Sequence, residues 1–176
     1  GLAAILVCIA GTQLYVLATS TETFFAWTIM PAITAAFFGA EFFASMVLVL
    51  IAVRERYWAN ARVAAPGVFA FASLMLVTTA LHLDRFHFSS PALSARVAAW
   101  AWIVVYIVVP PLLLIGLALQ RRMKGAKPPD SAPLSWWFSA PVLIQSIARV
   151  AVGAALFVVP ATAASLWMWK LTPLTA

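Results

Sequence analysis

Apolar blocks of roughly 18–25 residues recur along the whole chain, separated by short polar stretches. That is the length a helix needs to cross ~30 Å of hydrocarbon. A membrane β-barrel would instead show short segments of alternating polarity, and none is present. The pattern predicts an all-α, polytopic transmembrane helical bundle with five complete spans. They cover about 2–17, 33–53, 63–81, 97–119 and 137–159, and the segment 24–31 is expected to lie at the interface. The last residues read as the start of a sixth span. Both ends read as cut edges, so residues 1–176 are expected to be a single membrane domain within a longer chain.

Composition agrees with this picture. Apolar residues make up 65% of the chain and charged residues 9%, against about 45–50% and 25% in soluble domains. The formal charge of +6 would suggest nucleic acid if the basic residues shared one exposed face, but here they bracket apolar spans, and no nucleic acid partner is expected. Arg54, Arg56, Arg62, Arg121, Arg122, Lys124 and Lys127 follow spans two and four. Arg85, Arg96 and Lys170 fall on the other side. The excess predicts a cytoplasmic N-terminus. All eight tryptophans lie near predicted span ends, as an aromatic belt requires. Arg121 to Lys127 forms a juxtamembrane cluster suited to anionic lipid. The single cysteine, Cys8, excludes an intramolecular disulfide. A bacterial cytoplasmic membrane is the expected location.

A parallel repeat is expected between residues 8–34 and 150–176. Gly11, Leu14, Val16, Trp27 and Pro31 align without gaps on Gly153, Leu156, Val158, Trp169 and Pro173. Each copy has a span, a polar stretch, an interfacial Trp and a Pro placed to begin a helix, where its missing N–H costs nothing. Four spans separate the copies, so both would face the same way. The phrases Phe25 to Pro31, Leu81 to His87 and Leu166 to Thr175 resemble segments of uncharacterised bacterial multi-pass membrane proteins. That resemblance implies continuation past Ala176 and no particular activity.

Polar residues inside spans are the candidates for chemistry. Glu41 and Arg149 each lie near mid-bilayer, where a charge costs at least ~2.5 kcal/mol. Counted from the cytoplasmic ends, their depths differ by roughly 5 Å. A Glu41–Arg149 pair in a proton or solute pathway is one reading, with Gln145 a turn away and Gln13 in span one. Snorkelling of Arg149, or a carboxyl that merely locks two helices, is the other. Pro110-Pro111 should kink or break span four, and such a break suits a site or hinge, with Tyr106 lining the gap. His82, Asp84, His87 and Glu22 are residue types that bind zinc or iron. The two histidines would stand about 140° apart on a helix, so they would not pair on one haem, though a single-histidine haem stays open. A polar headgroup-level turn is the plainer account.

There is no phosphate loop, paired-cysteine site, metalloprotease motif or nucleophile elbow. The leading expectation is therefore a non-catalytic protein, either a transporter- or permease-like bundle or a subunit of a membrane complex. The alternatives are a redox subunit holding haem or metal through His82 or His87, with a quinone in the span-four gap, and a scaffold with no site.

Overall fold

Seven α-helices organise the computed structural model, whose described residues are 2–54, 64–121 and 135–169. They are α1 (Leu2–Tyr15), α2 (Thr21–Phe24), α3 (Ala32–Arg54), α4 (Ala65–Leu81), α5 (Leu93–Arg121), α6 (Trp136–Val158) and α7 (Pro160–Ser165). No strand occurs among the described residues, so the all-helical expectation holds. Three helices, α3, α5 and α6, are long and apolar enough to cross a membrane. α1 and the segment Ala18–Phe24 form one bent pair at 82°, and α4, at 17 residues, falls below the same length. Contacts divide the chain into two units, Gly1–Pro128 and Pro129–Ala176.

In the first unit, α1 and α3 form an antiparallel hairpin whose closest approach is set by two glycines. A Cβ on Gly39 would stand 2.5 Å from the Tyr15 nitrogen and 2.7 Å from Tyr15 Cβ, so only glycine lets the two backbones meet there. A Cβ on Gly11 would reach the Phe43 ring at 3.0 Å. Small residues at helix contacts are the usual device in membranes, where lipid removes the hydrophobic drive between helices. Helix α4 uses the same device on a regular repeat: Ala65, Ala72 and Thr79 are its buried residues. Opposite them, α5 buries the stripe Ala95, Ala99, Trp102, Tyr106 and Pro110, a helical i, i+4, i+7 spacing.

Two connectors close one end of this unit, and the core lies there. The first is residues 16–31; its segment 24–31 reads by hydropathy as interfacial, yet Phe25, Ala26 and Ile29 are at most 1% exposed. It folds inward because the Thr21 hydroxyl accepts the Ile29 N–H at 3.0 Å, which closes the loop on itself. Span one also ends sooner than its apolar run, where the Leu17 N–H reaches back to the Thr12 carbonyl and the helix opens into a turn. Pro31, after a cis Met30–Pro31 bond, immediately precedes α3. The second connector, residues 82–92, carries a short turn at Leu83–Arg85 and then meets the first through an antiparallel bridge between Trp27 and Phe86.

The second unit is simpler. Helix α6 stops at Val158, and α7 follows as a short continuation ending at Ser165. No residue of α6 is buried. Pro141 sits inside the first two turns of α6 without ending it.

Candidate functional site

Aromatic side chains dominate the connector end of the first unit, and Trp102 is their hub. Its ring centroid lies 4.6 Å from Tyr106, 4.8 Å from Trp27, 5.5 Å from Phe25 and 6.1 Å from Phe42. The indole Nε1–H donates to the Thr79 hydroxyl at 3.1 Å, so the polar edge of this buried ring is satisfied from α4. Trp27 also packs on Phe86, with centroids 5.0 Å apart. Such tilted and edge-on ring pairs each add roughly 0.5–1.5 kcal/mol beyond area burial. Trp102 thus departs from the belt expectation: it lies inside the protein, at 7% exposure, while Trp100 beside it is 55% exposed. Trp136 and Trp137 stay exposed, as interfacial anchors would.

His87 fastens the two connectors together. Its N–H donates to the Ala26 carbonyl at 2.8 Å. On the ring, Nδ1 lies 3.0 Å from the Phe25 carbonyl and Nε2 lies 3.1 Å from the Thr28 hydroxyl. A carbonyl can only accept, so Nδ1 carries a proton; in the neutral ring, Nε2 then accepts from Thr28. A third tie runs from the Ser94 hydroxyl on α5 to the Thr23 carbonyl.

These bonds bear on the metal expectation. His82, Asp84, His87 and Glu22 do not converge: among the described residues, no group of three His, Cys, Asp or Glu side chains could hold a metal ion. Both ring nitrogens of His87 are engaged by the first connector, which leaves no lone pair for a ligand bond in this arrangement. His82 points Nδ1 back at the Thr78 carbonyl, 2.9 Å away, at the end of α4. Asp84 instead meets Arg85 at 2.8 Å on the exposed surface. A pair so exposed contributes little to stability. Spacing alone could not show this, because residues 82–87 form a turn and a bridge, not the helix that an angular argument from sequence assumes.

Pro110 and Pro111 do not break the helix. Helix α5 runs unbroken from Leu93 to Arg121 with both prolines inside it. Each proline removes one N–H, and hence the bonds to the carbonyls of Tyr106 and Ile107, but the neighbouring bonds carry the helix across. Tyr106 is 6% exposed and packs against Trp102 and Phe71.

Glu41 is half-buried as the tenth residue of α3, and Arg149 and Gln145 are exposed on α6. They belong to different units. Gln13 is half-buried on α1. The Arg122–Lys127 part of the basic cluster, with Arg56, Arg62, Lys170 and Pro173, lies outside the described residues.

Thr21, Thr28, Thr79 and Ser94 are polar groups that sequence reasoning does not single out. Their signal is weak, since each sits within an apolar or headgroup-like stretch and its partner is not apparent from any local pattern. No family model, no curated protein and no solved structure matches this chain.

Proposed function

We propose that the protein is a non-catalytic, multi-pass membrane protein of the transporter or permease kind, with Glu41 as the group that carries a proton or meets a cation. The single observation behind this reading is a half-buried carboxyl in the interior of an apolar helix long enough to span a bilayer. Ionisable residues at that depth are expensive, and they mark ion or proton paths more often than they serve packing. Five crossings, a cytoplasmic N-terminus and a bacterial cytoplasmic membrane complete the proposal, supported by the distribution of Lys and Arg along the sequence. Anionic lipid at Arg121 to Lys127 fits the same orientation. The test is proton-coupled flux in liposomes holding the purified protein. Glu41→Gln should abolish the flux while circular dichroism stays unchanged; wild-type flux in that variant rejects the pathway.

A second reading, a subunit within a larger membrane assembly, is favoured by a separate observation. The buried residues of α3 all lie in its first third, at Thr34, Ala35 and Gly39, and α6 has none. Helices left open over most of their length are suited to packing against further helices.

A further inference from the structure

The two connectors of the first unit do not lie beyond the helices they join. Gly39, the eighth residue of α3, meets the backbone of Tyr15, the last residue of α1. Helix α1 therefore stops about 10 Å short of the level at which α3 begins. The other hairpin has the same step. Trp102, the tenth residue of α5, bonds Thr79, and α4 runs only two residues further, to Leu81. The packing of Phe42 on Trp102 sets the two longer helices level with each other, since Phe42 is the eleventh residue of α3. Residues 16–31 and 82–92 fill the two steps and are joined across them by the Trp27–Phe86 bridge.

These steps fall at membrane depth. Helix α3 has 23 residues, about 34 Å of helix against ~30 Å of hydrocarbon, so the floor of the step lies inside the apolar layer. At that floor the chain leaves the axis of α1 and turns by 82° into Ala18–Phe24. Irregular backbone at such depth is tolerated where protein buries it or water reaches it. Phe25, Ala26 and Ile29 are buried, whereas Glu22, Thr23 and Thr28 are exposed and polar enough to draw water.

Glu41 stands two residues past Gly39, about 3 Å below that floor. Thr34 lies on the same face of α3, two turns nearer the connectors. In the other direction the way is long and apolar. Thirteen residues separate Glu41 from Arg54, about 20 Å of helix. Ser45 is the one polar side chain between them, and its hydroxyl donates to the Phe42 carbonyl at 2.8 Å.

We infer that residues 16–31 and 82–92 form a re-entrant layer set into one leaflet and reached by water, and that Glu41 exchanges its proton or cation with that side of the membrane. The inference rests on the pathway reading above and gives it a direction. The connector side is the open one, and the apolar stretch towards Arg54 is the closed one.

The test is side-specific labelling in sealed vesicles in which one orientation of the full chain dominates. Every chain carries Cys8→Ser, and a charged, membrane-impermeant methanethiosulfonate is added outside. Thr23→Cys reports the connector side and Arg54→Cys the opposite one. Glu41→Cys should be modified to the same fraction as Thr23→Cys. So should Phe38→Cys, which lies one turn nearer the connectors and leaves Glu41 in place. Leu48→Cys, two turns the other way, should stay unmodified. Circular dichroism shows whether each variant folds, and Phe38→Cys decides the outcome if Glu41→Cys does not. Modification of Glu41→Cys to the fraction of Arg54→Cys overturns the inference, as does a folded Glu41→Cys chain that reacts in neither orientation. Ready modification of Leu48→Cys does the same. Flux lost in Glu41→Gln together with labelling from the Arg54 side keeps the pathway and rejects its direction. Wild-type flux in Glu41→Gln rejects the pathway itself, whatever the labelling.

Discussion

Trp102 and Thr79 are joined by a hydrogen bond of 3.1 Å from indole to hydroxyl, and that bond couples α5 to α4 at the centre of the aromatic cluster. Both residues are buried, at 7% and 3% exposure. Removing the acceptor therefore strands a donor where water does not reach. Thr79→Val keeps the shape and should cost about 1–2 kcal/mol. Thr79→Ser, which keeps the hydroxyl, should cost less. Equilibrium unfolding in mixed micelles compares them, and equal losses would mean that packing, not the bond, matters at this position.

The His87 fastening makes a sharper demand. His87→Ala should loosen both connectors, with a loss of about 1–3 kcal/mol for two side-chain bonds, and it should speed amide exchange at Ile29. Thr28→Val should cost less, since one bond goes. In a double-mutant cycle the two should show coupling of at least about 0.5 kcal/mol, as contacting residues do. Strict additivity would mean that Nε2 and the Thr28 hydroxyl do not support each other.

Glycine substitutions separate close packing from mere helix propensity. At Gly39 an added methyl would be driven into the Tyr15 backbone, so Gly39→Ala should destabilise by about 1–3 kcal/mol, the range for overpacking. Gly67 faces open space, so Gly67→Ala should be neutral or stabilise by up to about 1 kcal/mol. The same unfolding assay reads both. A neutral Gly39→Ala would require α1 to stand farther from α3.

Metal should leave the protein unmoved. With both nitrogens of His87 engaged and His82, Asp84 and Glu22 not converging on it, zinc titration should give no stoichiometric site, and chelator should not shift the melting temperature. Stoichiometric zinc or iron, lost on His82→Ala or His87→Ala, would require the second connector to rearrange.

Much of the helix pattern is legible because the bilayer imposes a length. α3 and α6 start and stop within a residue of the blocks read from hydropathy. Helix α5 begins sooner than its apolar run. Ser90 accepts the Ala92 N–H and the Arg96 N–H bonds back to Ala92, so Ser94 to Arg96 are helical despite their polarity. The connectors are the part that hydropathy misjudges. A stretch such as Phe24 to Pro31 reads alike whether it rests among headgroups or forms a core. What distinguishes the two is a partner remote in the chain, the carbonyls of Phe25 and Ala26 meeting His87, and no local pattern carries that. Glu41 and Arg149 are conspicuous as charges in apolar blocks, whereas the role of Trp102 is hidden because tryptophan suits both an interface and an interior.

The inward fold of the first connector has a bearing on how the protein is made. Thr21 and Ile29 close that loop using residues already synthesised when α3 emerges, so the α1–α3 hairpin can take its shape early. The lid over Phe25 and Trp27 comes later, from Phe86, His87 and Trp102. A nascent chain halted before residue 82 would hold a finished hairpin with a bare aromatic face, the kind of surface that insertion chaperones retain and membrane proteases degrade. The pair α4 and α5, with the connector between them, is what covers that face.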